Sequence, residues 1–351
     1  MNITVCFSIF LLSTTLVFKR EPEINDTLPL NTSSLSKLQD LAPLSQFTGI
    51  KLFLISPIIC LLMAAGVIPL ILFAIFSNFH ARQEPRYLIL SSSMLYNLFY
   101  LLFYALSTTL NVTGFRLPRY ACVLLLFMIA QTYCGSLLTA MAMVLDTYVA
   151  ILWPLRYASL LTLLRTKKLI LSIWFFAGLF PAILFFILWS TQEQTEQTLC
   201  PMEICSLPVI LVMTLHGDIA VKLCYGLSVT SLFLCLFLIT FFHVSLYVKT
   251  RQLGIWRGMT SRASVTFLMH HTVLFLYFCP ILAHVVETVL YRNHHISLRT
   301  GIWLSMTICN IMVVLPQALS PYLYGLRYRE ITKSLRFLCG RKHPNLRLPA
   351  K

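Results

Sequence analysis

Seven long apolar segments alternate with short polar stretches along this chain. Each is long enough to cross about 30 Å of hydrocarbon, which takes roughly 20 helical residues. The apolar positions do not alternate with polar ones, so the pattern predicts membrane-spanning helices and not the strands of a barrel. The predicted spans are residues 52–76, 87–106, 120–146, 169–189, 219–248, 263–286 and 302–324.

The composition agrees with a chain that crosses a membrane. Hydrophobic residues make up 58% of it and charged residues 11%, whereas soluble domains carry about a quarter charged residues. The chain is therefore predicted to be an all-α membrane protein with a seven-helix bundle. Its formal net charge of +15 would suggest nucleic acid in a soluble protein. Here the basic residues lie between the apolar segments, so membrane topology explains them and no nucleic-acid partner is expected.

The distribution of charge predicts the direction of the spans. Most of the 27 lysines and arginines lie in the loops after the first, third and fifth spans and in the tail, opposite most of the 12 acidic residues. Loops rich in basic residues face the cytoplasm. We therefore expect a multi-pass protein of the plasma membrane, with its amino terminus extracellular and its carboxyl terminus cytoplasmic. Glycosylation sequons fall on the predicted outer face; they begin at Asn2, Asn25, Asn31 and Asn111.

Three parts follow from this pattern. Residues 1–51 form an extracellular segment, residues 52–326 the seven-helix domain, and residues 327–351 a cytoplasmic tail. Residues 1–18 are apolar and are a candidate signal peptide, with a mobile extension or an eighth span as alternatives. The tail mixes apolar and basic residues, as a short amphipathic helix on anionic membrane lipid does. Cys339 is either a palmitoylation site or an unmodified cysteine.

Three sequence motifs stand in topological order. They are EPRYLIL at 84–90, LDTYVAI at 145–151 followed by PLRY at 154–157, and LSPYLYGLR at 319–327. Together they resemble the motifs of fish-type odorant receptors, a branch of the class A, rhodopsin-like G-protein-coupled receptors. The resemblance implies a receptor and not an enzyme. Such a receptor would bind a small odorant within the helix bundle and activate a heterotrimeric G protein, without a cofactor.

The chain departs from the family pattern at three polar positions. Thr147 stands where the family has an arginine that engages the G protein. Asn97 replaces the usual aspartate of the second span, and Ser320 replaces the usual asparagine before the proline of the seventh. Buried polar residues within a membrane normally form a functional network. Here that network is neutral, so a bound sodium ion is not expected.

The resemblance also implies which residues meet the G protein at the inner ends of the spans. They are Asp146, Thr147, Tyr148, Pro154 and Tyr324. A threonine cannot form a bidentate ion pair, so weak coupling is expected, and Arg156 or Arg165 of the next loop is expected near Asp146. Two alternatives remain open: a class A receptor outside the olfactory system, and a seven-helix decoy or scaffold that no longer signals.

The ligand site implied by the resemblance lies between the third, sixth and seventh spans. Its residues are Ile129, Ala130, Tyr133, Cys134, Tyr277, Phe278, Ile281, His284, Asn310 and Val313. No acid falls in the outer half of a predicted span, so an amine ligand would have no buried counter-ion. Lys222 and His284 would instead meet a carboxylate or carbonyl, although extension to the outer interface is the favoured interpretation for Lys222. A small, apolar or weakly anionic ligand is therefore expected.

The cysteines suggest one disulfide bond. Cys122 precedes Asp146 by about 36 Å of helix, a full crossing at 1.5 Å per residue, so it lies at the outer end of the third span. The resemblance implies a bond from Cys122 to the second outer loop, for which Cys200 is preferred and Cys205 is the alternative. No metal site is expected, because adjacent histidines such as His270 and His271 point about 100° apart on a helix.

Overall fold

The computed structural model describes residues 48–113, 117–192 and 298–327, residues 115 and 205, and scattered positions within 226–252 and 272–295. Nearly all of them are helical. The first four spans are the helices Thr48–Ser77, Pro85–Thr113, Arg119–Leu152 and Leu163–Gln192. The seventh consists of Leu298–Thr307, a π-helical segment Ile308–Val313 and Val314–Arg327. Short helices Phe79–Gln83 and Pro154–Leu160 lie in the loops after the first and third spans. These loops are on the side that the sequence predicts to be cytoplasmic, which is called inner below.

Five helices of the described residues are long and apolar enough to cross a membrane. The sixth predicted span contains the shorter apolar helix Phe275–Glu287, and the fifth is described at scattered helical positions. Where both ends of a span are described, the helix extends past both predicted ends. The third, for example, continues to Leu152. Backbone hydrogen bonds persist into the polar interface, so hydropathy alone underestimates the length of these helices.

The second span lies at the centre of the bundle. Its most apolar window is 67% buried, against 24% in the fourth span. Large apolar side chains of the fourth span, such as Leu171 and Phe175, are exposed on the surface. Such a surface is unfavourable in water and suits contact with lipid. The degree of burial therefore separates a central helix from a lipid-facing one.

A tyrosine of the second span joins three helices. The Tyr96 ring is fully buried and packs against the backbone of Gly135 in the third span, where a β-carbon would overlap the ring. On its other side, Tyr96 stacks on Trp174 of the fourth span, with ring centroids 4.3 Å apart. The Trp174 indole N–H donates to Ser92 Oγ at 3.1 Å. Glycine at 135 thus permits the close packing of the second, third and fourth spans.

The seventh span widens into a π-helix just before a proline. Pro316 has no N–H to donate to the preceding turn, and the segment Ile308–Val313 adopts the wider turn on its amino-terminal side. The Ser56 hydroxyl of the first span donates to the Asn310 carbonyl at 2.9 Å. Wide turns of this kind are frequent at functional sites. This one ties the seventh span to the first.

Candidate functional site

A connected polar network crosses the middle of the bundle. The Ser136 hydroxyl lies 2.6 Å from Asn97 Oδ1, 2.6 Å from the Tyr277 hydroxyl and 2.9 Å from Gln317 Oε1. Asn97 Nδ2 donates to Ser320 Oγ. All five residues are at most 2% exposed. The midplane network therefore joins the second, third, sixth and seventh spans through one serine.

The midplane network is neutral, as the sequence predicts. Asn97 and Ser320 lie together in it, although they are far apart along the chain. Ser136 and Gln317 were missed by the sequence analysis. The available signal was a polar residue inside an apolar span, which is costly in lipid unless it is hydrogen-bonded.

Aromatic rings lie beside the midplane network. Tyr133 and Tyr277, both predicted ligand residues, have ring centroids 6.4 Å apart. Tyr100 lies 5.9 Å from Tyr133 and 5.7 Å from Tyr104. The four rings form a tyrosine chain from the second span, across the third, to the sixth. Its members supply large apolar faces and polar hydroxyls within one region.

An acid and a histidine lie at the outer end of the sixth span. Glu287 Oε2 is 3.0 Å from His284 Nδ1, and His284 Nε2 is 3.5 Å from the Cys309 thiol of the seventh span. Glu287 is only 5% exposed. The expectation that no acid lies in the outer half of a span is wrong, because the sixth helix continues one turn past His284 and buries this carboxylate.

Three buried acceptor atoms of the same region have no hydrogen-bond partner among the described residues. They are Glu287 Oε1, Ser305 Oγ and Asn310 Oδ1. The amide nitrogen of Asn310 is engaged, since it donates to the Met306 carbonyl at 2.8 Å. We call His284, Glu287, Ser305, Cys309 and Asn310 the outer cluster.

The disulfide bond joins Cys122 to Cys205, with the two Cα atoms 5.6 Å apart. The preference for Cys200 is therefore wrong, and the alternative partner is the correct one. The backbone of Cys205 is held further by the second span: its carbonyl accepts from Ser107 Oγ at 2.7 Å and from Asn111 Nδ2 at 2.8 Å. The position of Cys205 thus depends on loop conformation and on contacts with another span, neither of which the spacing of cysteines contains.

The contact between Asn111 and Cys205 involves the asparagine of a glycosylation sequon. Asn111 Oδ1 accepts from the Cys205 amide at 2.9 Å, while Asn111 Nδ2 donates to the Cys205 carbonyl. That nitrogen is the atom to which a glycan would be attached. Asn111 is therefore hydrogen-bonded in the folded chain, and its glycosylation stays a prediction. The sequons at Asn2, Asn25 and Asn31 lie outside the described residues.

The family is shown by comparison with known proteins. The model for seven-transmembrane receptors of the rhodopsin family matches residues 69–324. The chain belongs to this family. The receptor is 32% identical to the human probable G-protein coupled receptor 148 over 279 residues, which cover 79% of this chain and 80% of the relative. It is 31% identical to the human olfactory receptor 51E1 over 222 residues, which cover 61% of this chain and 65% of the relative.

Asp146 and Thr147, two of the predicted G-protein contacts, lie at the inner end of the third span. Asp146 is buried and accepts a hydrogen bond from the Tyr157 hydroxyl at 2.8 Å. Tyr157 belongs to the inner-loop helix Pro154–Leu160. Burial and the bond to Asp146 raise the pKa of the Tyr157 hydroxyl, so it remains a protonated donor at neutral pH. The second inner loop approaches Asp146 through this tyrosine, whereas the sequence predicted an arginine of the same loop.

Thr147 faces its own helix. Its hydroxyl donates to the Met143 carbonyl at 2.9 Å, a local bond that threonine often forms in helices. Its neighbour Tyr148 packs edge-to-face on Phe242 of the fifth span, at 5.5 Å between ring centroids. The expected cation Arg165 donates to the Ser159 carbonyl at 2.8 Å.

The remaining predicted site residues divide into two groups. Ile129 is buried, and Ala130, Cys134 and Val313 are partly buried in the third and seventh spans. The second group lies outside the described residues: Cys200, Lys222, Phe278, Ile281 and Cys339. For Pro154 and Tyr324 the backbone is described and the side chain is not. The predicted amphipathic helix of the tail also lies outside them.

Proposed function

We propose that the receptor binds a small ligand between its third, sixth and seventh spans and activates a heterotrimeric G protein. The midplane network is the observation that supports this function best. Tyr277 of the sixth span meets Ser136 of the third at 2.6 Å and Gln317 of the seventh at 3.3 Å. A ligand touching Tyr133 or Tyr277 therefore acts on groups that hold the sixth span in place.

The sixth span has a point about which it can pivot. Pro280 lies one turn outward from Tyr277 and is buried. A proline removes one backbone hydrogen bond and kinks a helix. Rotation at Pro280 would separate Tyr277 from Ser136 and Gln317. Activation is then a shift between two packings, with the ligand favouring the open one.

The inner end of the third span carries the coupling contacts in this proposal. Asp146, Thr147, Tyr148, Pro154 and Tyr324 would meet the G protein. The bond between Tyr157 and Asp146 holds the second inner loop against the third span at rest. A threonine at 147 supplies no charged donor, and a hydrogen bond to a charged group is worth roughly 1.5–3 kcal/mol. The natural receptor is therefore expected to couple weakly.

An odorant is the finer proposal for the ligand. The three motifs and the similarity to olfactory receptor 51E1 support it. The longer similarity, to probable G-protein coupled receptor 148, supports the alternative of a receptor outside the olfactory system. Expression in sensory epithelium or in other tissue separates the two. The proposed topology places residues 1–51 outside the plasma membrane and residues 327–351 in the cytoplasm, where Cys339 would carry the lipid.

Signalling is tested with a ligand screen. Cells that express the wild type or Thr147→Arg at equal surface levels are exposed to volatile amines, alcohols, aldehydes and carboxylic acids, with cyclic AMP as the readout. We expect a weak wild-type response to one class and a severalfold larger maximal response from Thr147→Arg. Thr147→Lys is the matched control, because it restores the positive charge without the planar guanidinium group of arginine. Its maximal response should rise less.

Two outcomes would contradict the proposal. If both variants remain silent in every class at equal surface expression, the receptor function fails. If Thr147→Arg responds while the wild type binds the same ligand silently, the natural protein is the non-signalling decoy or scaffold.

A further inference from the structure

The outer ends of the sixth and seventh spans bring two unsatisfied acceptors into the protein interior. Glu287 is 5% exposed and Ser305 is 0% exposed. Neither Glu287 Oε1 nor Ser305 Oγ has a hydrogen-bond partner within the part of the chain that the structure describes. A buried polar atom without a partner costs free energy. Such atoms call for a partner from outside the described residues, such as a ligand.

The two acceptors lie at the same depth in the bundle. The contact between Cys309 Sγ and His284 Nε2 joins the seventh span to the sixth. Glu287 lies about one turn outward from His284 on the sixth span, and Ser305 about one turn outward from Cys309 on the seventh. Residues three or four apart share a helix face. Both acceptors therefore face the space outward from the His284–Cys309 contact.

The Glu287 carboxylate meets His284 on one side. His284 Nδ1 faces Glu287 Oε2 at 3.0 Å, and its Nε2 faces the Cys309 thiol. The imidazole Nδ1–H donates to Glu287 Oε2 and leaves the second carboxylate oxygen, Oε1, without a partner among the described residues. A carboxylate oxygen forms its strongest hydrogen bonds with charged N–H donors.

Aromatic rings lie inward from the acceptors. Tyr277 is two turns inward from His284 on the same helix, and its ring continues through Tyr133 to Tyr100. Rings of this kind pack against hydrocarbon, and their faces also attract cations. The organic part of a ligand would extend toward the tyrosine chain, with its polar group toward Glu287.

We propose, on the basis of the receptor function argued above, that the outer cluster binds the ammonium group of a primary amine. Its N–H groups donate to Glu287 Oε1 and Ser305 Oγ. An alkylammonium has three such donors, whereas an alcohol has one. A carboxylate ligand would meet Glu287 as a like charge. The weakly anionic ligand expected from the sequence is therefore replaced by a cationic one, and His284 acts as a positioning residue for Glu287.

The test measures ligand binding without a G protein. The full chain, purified in lipid nanodiscs at neutral pH, is unfolded by heat with hexylamine, hexanol, hexanoic acid or trimethylhexylammonium. The four probes share a chain and differ in the head group. We expect hexylamine to raise the melting temperature most, since ligands that bind the folded state stabilise it. Trimethylhexylammonium should raise it less, because it has the charge without N–H donors.

Three variants assign the binding to the outer cluster. Glu287→Gln should lose the hexylamine shift, and Ser305→Ala should weaken the apparent affinity for hexylamine roughly tenfold. Glu84→Gln is the matched control, because Glu84 is an exposed acid at the inner surface, and it should retain the full shift. Ser305→Ala removes an atom without a described partner, so it remains informative if Glu287→Gln does not fold.

Specific results would overturn the proposal. A hexanoic acid shift as large as that of hexylamine excludes an ammonium site, as does an unchanged hexylamine shift in Ser305→Ala. The proposed signalling function fails separately: a receptor that binds hexylamine here and activates no G protein retains the amine site and loses the signalling role. A receptor that signals to other ligands, and whose melting temperature hexylamine does not raise, retains the signalling role and loses the amine site.

Discussion

The midplane network and the outer cluster are both polar, buried and shared between spans, yet they differ in how their hydrogen bonds are used. In the network, the Ser136 hydroxyl meets side chains of the second, sixth and seventh spans. In the outer cluster, Ser305 is equally buried, and its hydroxyl has no partner among the described residues. Serine therefore has a different role in each region: Ser136 links helices through hydrogen bonds, and Ser305 leaves an acceptor for a ligand.

This difference matches the roles of the two regions in a receptor. The hydrogen bonds around Ser136, in a medium of low polarity, fix one packing of the helices, although Gln317 Nε2 in the same network has no partner among the described residues. Groups that remain unsatisfied are available to bind a ligand. Tyr277 and His284 connect the two regions, because they lie two turns apart on the sixth span. Ligand binding at the outer cluster can thus change the position of Tyr277 in the midplane network.

The largest expected effect comes from removing the disulfide bond. Cys205→Ser breaks the bond to Cys122 and should lower stability by about 2–4 kcal/mol, with reduced surface expression. Thermal unfolding in detergent and surface labelling measure the two effects. Cys200→Ser is the matched control and should remain close to wild type. If Cys200→Ser were the more damaging variant, the pairing of Cys122 with Cys205 would be refuted.

A second substitution acts on the midplane network. Ser136→Ala removes the hydroxyl that lies within hydrogen-bonding distance of Asn97 Oδ1 and Gln317 Oε1. Both Asn97 and Gln317 are fully buried. Leaving a buried group unsatisfied costs about 1–3 kcal/mol, so the melting temperature should fall. Ser136→Cys is a useful control, because a thiol keeps a weak donor and should lose less. A melting temperature equal to wild type in Ser136→Ala would show that Ser136 does not hold the spans together.

The long helices were predictable from the sequence, and much of the site was not. An uninterrupted apolar run determines a spanning helix, because backbone groups must be satisfied within lipid. Glu287 was missed because the sixth span was predicted to end one residue earlier. Its spacing of three from His284 was the signal available in the sequence. The choice between Cys200 and Cys205 depends on contacts with Ser107 and Asn111, which no local pattern predicts.

The smallest expected effect is the most direct comparison of the two regions. Ser305→Ala makes the same chemical change as Ser136→Ala, at a residue that is also 0% exposed. Because Ser305 Oγ has no described partner, its removal leaves no acceptor unsatisfied and relieves a buried polar group. We expect the ligand-free melting temperature to stay unchanged or to rise by the equivalent of less than about 1 kcal/mol. Parallel thermal unfolding of both variants without ligand measures the difference. A fall as large as that of Ser136→Ala would mean that Ser305 forms a structural hydrogen bond, and that the two regions do not differ in the way described.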